Sequence, residues 1–206
     1  EDYPHAVHML CESGVIFELP AGKRSAMING KRINVTVPGS DADTRQWVMP
    51  MRLPKDRPTP VHNKLWLPQT LEAKQMQMGL RFDFHGISLP PGAIERCVAA
   101  GAAAGQLLQC WYNGVLVHDS SDNTKMLLQL TTTDPDGQPC VWLEVDARGA
   151  SGVSGLWRVL SPLVRAVREV LSEYPGVFYG EGLACPQCRS EGRWQEPTLW
   201  NIELQL

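Results

Sequence analysis

No stretch of these 206 residues carries the block of Lys and Arg that would neutralise a row of phosphates. The 19 basic and 22 acidic side chains are interspersed and leave a net charge of -3, which argues against nucleic acid as a partner. Apolar runs of membrane length are missing too. A bilayer-spanning helix needs about 18 such residues or more, and the longest run, Cys97 to Leu108, is short and rich in Ala and Gly. Phosphate-cradling loops are also absent. In "PAGKRS", Gly22-Lys23 is followed by Arg24 where a Ser or Thr hydroxyl is needed, and no Gly stands five residues ahead. "GASGVSG" does not contain the Gly-x-Ser-x-Gly of a nucleophile elbow. Asp and Glu are scattered, so no acid–base couple is defined. The expectation is a chain that does no catalysis and holds no cofactor.

Histidine and cysteine are few. His5 and His8 stand three apart in a helical pattern, which would suit a metal, but no third ligand is near. His85 and His118 fall at the polar ends of strands and read as solvated. Of six Cys, Cys11, Cys97, Cys110 and Cys140 lie in apolar surroundings, where a free thiol packs as a small hydrophobe. That usage fits a reducing, cytoplasmic compartment. Cys185-Pro186-Gln187-Cys188 leaves three readings open. As half of a zinc site it lacks a second knuckle. As a redox pair it follows a helix instead of capping one. As a structural turn it requires nothing more. No metal is expected, and Cys185 and Cys188 are the candidates if one binds. The chain starts at Glu1 without a secretory signal and reads as a piece of a longer protein.

What is present is a globular composition, 43% hydrophobic and 20% charged, with seven Trp. Residues 3–13 have helical spacing up to Gly14, and Val15 to Leu19 reads as a strand, like the tail of a winged-helix unit. Pro20 to Gly30 reads as loop, Arg32 to Val37 as a strand, Pro38 to Thr44 as a linker and Gln46 to Met51 as a short strand. "LPKDRPTP", Leu53 to Pro60, carries three prolines and reads as the most flexible segment. Pro68 to Gly79 has the start and stop residues of a helix. The strand "LRFDFHG" follows, then a helix opening near Pro91 with a small-residue run, Ala99 to Gly105, suited to close packing. Asn113-Gly114 between apolar runs predicts a type I′ hairpin. Further strands at "TKMLLQLT" and "CVWLEVDA", separated by the turn Asp134 to Pro139, complete an antiparallel meander. Gly149 to Gly155 reads as a loop, and the helix from Leu156 to Tyr174 has an apolar stripe. Pro162 implies either a kink or a helix beginning at Ser161. "TLWNIELQL" reads as a last strand. The fold class is α+β: an antiparallel meander packed by helices.

The order of these landmarks resembles the COR domain of Roco proteins, mainly its C-terminal half. The carrying segments are Val48 to Pro54, Leu89 to Arg96 ("LPPGAIER"), Trp111 to Gly114 ("WYNG"), the late helix over 156–173, and Cys185 to Cys188. The last looks most like animal leucine-rich-repeat Roco proteins without a kinase domain. Ala93, where the family often has a bulky residue, and the small-residue run depart from the pattern. The resemblance implies the end of the preceding COR half over 1–19, a connector over 20–44 and a C-terminal COR subdomain over 45–206. It also implies a scaffold for signalling, with a second copy, the Roc GTPase domain of the same chain and other signalling proteins as partners. Trp111, Tyr112 and Trp142 are candidate interface anchors, because aromatic residues dominate interface energetics, although core packing explains them as well. Competing readings are an unrelated module that takes a peptide along a free sheet edge, or a small zinc-stabilised domain.

Overall fold

The computed structural model describes residues 3–12, 16–19, 25–28, 31–34, 46–49, 52–55, 57, 58, 66, 76–85, 89–119, 121, 123–133, 139–150, 152–184 and 199–201. Helix α1 (Tyr3–Glu12) leads to β1 (Phe17–Leu19), and β1 pairs antiparallel with β4 (Gln46–Val48). Between them lie β2 (Ser25–Ile28) and β3 (Lys31–Asn34), a hairpin that joins the main sheet where Met27 pairs parallel with Gln109. The body of the fold runs β5 (Met76–Phe84), α2 (Ala93–Ala103), β6 (Gln106–Trp111), β7 (Gly114–Asp119), β8 (Thr124–Thr133), β9 (Pro139–Gly149), α3 (Gly152–Ser172) and β10 (Tyr179–Ala184). Strand β11 (Leu199–Asn201) pairs with β10. Among the described residues the large sheet has the order β11-β10-β5-β9-β8-β7-β6-β2-β3. The α+β class expected from the sequence is the class observed, and β6 to β9 form the meander.

Two helical crossovers close this sheet. Every neighbouring pair from β10 to β6 is antiparallel, so β5 and β6, four positions apart, point the same way. Strands β9 and β10, on either side of β5, also share a direction. Like-directed strands cannot be joined by a tight turn. Helices α2 and α3 make these two connections and cover one face.

That face holds the core. Leu80, Phe82, Val115, Leu128, Leu143 and Val145 from the strands meet Ile94, Cys97 and Val98 of α2 and Leu156, Leu160 and Leu163 of α3. Gly101 brings α2 against β7: a Cβ there would stand 2.6 Å from Val115 Cγ1. The small-residue run therefore serves close approach of helix to sheet. Gly92 caps α2 at φ 85°, a left-handed conformation that costs glycine nothing. No helix of the described residues is long and apolar enough to cross a membrane.

Several expectations need correction. Met76 to Gly79 are strand, not the end of a helix, because Met76, Met78 and Leu80 continue the two-residue period and β9 offers a backbone partner to each; residues 68–75 lie outside the described residues. Ser25 to Ile28 are strand instead of loop. The Asn29-Gly30 pair in the sequence was the available signal for that hairpin. Helix α3 begins at Gly152, so the Gly/Ser loop is shorter than expected, and the helix runs through Pro162 without a break. Six buried side chains, Leu156 to Leu171, anchor both halves of α3. At about 1.5–3 kcal/mol per buried Leu or Val, they outweigh the roughly 3 kcal/mol cost of an interior proline. The turn expected over 134–138 lies outside the described residues.

Pro162 is exposed and Leu160 fully buried. Pro162→Ala should therefore raise the urea unfolding free energy by about 1–2 kcal/mol, the helix gain less the lost restriction of the unfolded chain. Leu160→Ala should lower it by about 2–5 kcal/mol. A helix that truly began at Ser161, with Pro162 in its first turn, would leave Pro162→Ala near or below wild type.

Candidate functional site

The β6–β7 hairpin gathers most of the residues singled out from the sequence. Trp111 pairs with Gly114, so the two loop residues are Tyr112 and Asn113. The expected type I′ turn at Asn113-Gly114 is not formed: Asn123 at φ 50° is the one described non-glycine residue with positive φ, and Gly114 is not among the glycines that have it. What Gly114 supplies is space. A Cβ there would run into the Trp111 indole and stand 2.8 Å from the Leu128 carbonyl oxygen. Asn113 fixes the loop to β8 in both directions, its Nδ2 donating to Leu130 O at 3.0 Å and its carbonyl accepting from Leu130 N–H at 2.8 Å.

Trp111 is 0% exposed and packs with Trp66, Leu116 and Leu127 on the sheet face away from the helices. It fills the interior of this chain. Its Nε1 is buried without a hydrogen-bond partner, a cost of about 1–3 kcal/mol. Trp142 is 9% exposed, with the Arg81 guanidinium 3.8 Å from its ring centroid and Arg81 Nε donating to Asp83 Oδ1 at 2.6 Å. Tyr112, at 39% exposed, is the open member of the three.

Tyr112 is also a junction. Its N–H donates to the Pro54 carbonyl at 2.8 Å, and its hydroxyl donates to Glu95 Oε1 at 3.3 Å. The Glu95 charge, followed by burial, raises the Tyr112 pKa. One residue on, Arg96 grips Glu173 with Nη2 to Oε1 at 2.8 Å and Nη1 to Oε2 at 2.7 Å, and its guanidinium lies 5.9 Å from the Tyr174 ring centroid. On the other flank of α3, Arg168 holds Glu181 of β10 through Nε to Oε1 at 2.8 Å and a second bond from Nη2 to Oε2. The four segments Val48–Pro54, Trp111–Gly114, Leu89–Arg96 and the end of α3 are thus linked in series by side-chain and backbone contacts.

The described residues of "LPKDRPTP", 53–55, 57 and 58, belong to no helix or strand, but they are held down. Val48 and Leu53 pack against the helix-side core, whereas Arg57 Nη1 donates to Gln129 Oε1 at 2.8 Å. Gln129 alternates with the core residues Leu128 and Leu130, so it belongs to the opposite face. Arg148 Nη1 donates to the Trp66 carbonyl at 2.7 Å on that same face. Burial lowers the pKa of Arg57, opposed by the charges of Asp146 and Glu144, and burial lowers that of Arg148. Arg148 stands opposite Lys125 in register, and Lys125 is lowered by burial and then by Arg148.

The remaining candidates do not converge. Cys97 and Cys110 are buried, and desolvation pushes both thiols up to about 12, which keeps them protonated and unreactive at neutral pH. His118 Nε2 lies 3.0 Å from Asn123 Oδ1, and His85 is exposed at the end of β5. Among the described residues no three His, Cys, Asp or Glu form a group able to hold a metal. His62, Cys185 and Cys188 lie outside the described residues, as does the His5 side chain. A shallow groove of about 300 Å³ lies between Phe84, Leu89, Pro91, Pro175 and Phe178, where β5 ends and β10 begins. No protein-family model matches the chain, and no curated protein sequence matches it.

Gly114→Ala should cost about 1–3 kcal/mol in urea unfolding, the range for overpacking against atoms that cannot retreat. A loss below about 0.5 kcal/mol would mean that the indole does not rest on that glycine. The Glu173 carboxyl, held down by its bond from Arg96, titrates below the ordinary carboxylate value of about 4.3. Its contribution to stability is present above that value and is lost as pH falls through the lower folded one. In Arg96→Gln, NMR titration of Glu173 should move its midpoint upward toward the ordinary value; an unchanged midpoint would remove Arg96 as the cause.

Proposed function

We propose that this chain is a non-catalytic dimerisation and regulatory scaffold, a COR-type module of a cytoplasmic Roco GTPase. In this reading it couples contacts between subunits to the nucleotide cycle of a Roc domain elsewhere in the same protein, and it touches other signalling proteins through surface shape. One observation carries the proposal. Four of the five segments on which the resemblance rests are far apart in sequence, yet they bond to one another in series, from Pro54 through Tyr112 and Glu95-Arg96 to Glu173. A module that relays position between domains needs a stiff path of this kind between the part that receives a displacement and the part that delivers it. Of the three aromatic candidates, Tyr112 has the exposure that an anchor for a second copy requires.

A second reading, a module that accepts an extended peptide, is favoured by Phe178. This side chain is 73% exposed beside the shallow groove and directly ahead of β10.

Light scattering against concentration separates the two. The scaffold reading expects a mass that rises from one chain to two, together with binding to a Roc-type GTPase domain whose affinity depends on the bound nucleotide. A constant one-chain mass without such binding overturns it. The same constant mass with saturable peptide binding that perturbs Phe178 and Tyr179 resonances supports the second reading.

A further inference from the structure

One row of side chains crosses the sheet face away from the helices, close to where β5 and β8 begin and β7 and β9 end. Gln77 of β5 stands opposite Arg148 of β9, Arg148 opposite Lys125 of β8, and Lys125 opposite His118 of β7. Met78, Ala147, Met126 and Val117, their neighbours along the strands, belong to the helix-side core or pack against it, so the row lies on the other face. Side chains in register on one face stand about 5 Å apart at Cβ. We propose that Gln77, Arg148 and Lys125 form a binding site for the free hydrogen phosphate ion, an oxyanion that also carries a hydroxyl.

Two independent observations carry this assignment. The first is charge. Arg148 and Lys125 are direct cross-strand neighbours, and like charges so placed repel. The Asp146 and Glu144 carboxylates on this face act on Arg57. Burial alone lowers the Arg148 pKa, and burial followed by the Arg148 charge lowers that of Lys125. Arg148 Nη1 is spent on the neutral Trp66 carbonyl, and its Nε is buried without a hydrogen-bond partner. A bound anion offsets the two like charges and accepts from that N–H. The second observation is the Gln77 amide. Its Nε2 and its Oε1 are both buried without a hydrogen-bond partner, so the group needs a donor and an acceptor whichever way round it is turned. Hydrogen phosphate brings both. An unprotonated oxygen accepts from Gln77 Nε2, and the P–O–H donates to Oε1. Sulfate and carboxylate ions at neutral pH only accept. Because its amide holds no hydrogen bond, Gln77 also turns aside to admit the ion without breaking one.

The site lies within one chain and depends neither on dimerisation nor on a GTPase partner. NMR titration of the whole chain with sodium phosphate, at neutral pH and fixed ionic strength, tests it, with sodium sulfate as the second arm. Phosphate should shift the Gln77 side-chain amide and the Arg148 Nε–H resonances together and saturably, and it should bind about tenfold more tightly than sulfate. Gln77→Leu puts an apolar side chain of similar size in place of an unbonded buried amide and so keeps the fold. It should weaken phosphate about tenfold and leave sulfate unchanged. Lys125→Met should weaken both ions alike. A wild type without a saturable shift overturns the proposal. Equal affinity for the two ions overturns it as well, as does a phosphate affinity that Gln77→Leu or Lys125→Met leaves untouched.

Discussion

The contact that organises this molecule is the Trp111 indole lying on Gly114. A hairpin with a side chain at the second strand's first position would push the ring away from the sheet. With glycine there, the ring has room to close the patch formed with Trp66, Leu116 and Leu127, and Tyr112 and Asn113 are left at the tip. Asn113 then reaches Leu130, and Tyr112 reaches both Pro54 and Glu95. One missing methyl group thus decides how three chain segments meet. It also gives a physical reason for the Trp-x-x-Gly spacing, which as a sequence pattern is only a string.

Much of the sheet was legible because its signals are local. Alternation in β8 and β9, the apolar stripe of α3 and the Pro-Gly start of α2 each depend on a few neighbouring residues. The hairpin was found for a partly wrong reason. Asn-Gly predicts positive φ, but here the asparagine is a brace to β8 and the glycine a gap for an indole, and both roles need partners distant in sequence. Gly79 looks like a helix stop, so the sequence pattern predicts a shorter strand than β5. Its partner β9 lies some 65 residues away, and no local pattern announces that pairing. The candidate site was less legible still. Trp111, Tyr112 and Trp142 look alike as aromatic residues on strands, whereas burial separates them: one is interior, one is covered by an arginine, and one is open.

The two faces of the sheet are built on different principles. The helix side is apolar and continuous, with the ion pairs Arg96 to Glu173 and Arg168 to Glu181 at its margins. The exposed Arg96–Glu173 pair adds little stability because water competes for it. The value of both pairs here is orientation, since bidentate geometry fixes an angle as well as a distance. They set how α3 sits between α2 and β10. The opposite face mixes a small apolar patch with arginines, carboxylates and glutamine in register, Arg81 opposite Glu144 and Glu144 opposite Gln129.

The two faces answer a small displacement differently. Apolar packing tolerates small slides, because dispersion has no preferred direction. Hydrogen-bonded charges do not slide; they hold or break. Leu53 is packed on the first kind of surface, whereas Arg57 is bonded to Gln129 on the second. The helix-covered face can therefore yield by small shifts at Leu53, whereas the bond of Arg57 to Gln129 is kept or lost as a whole.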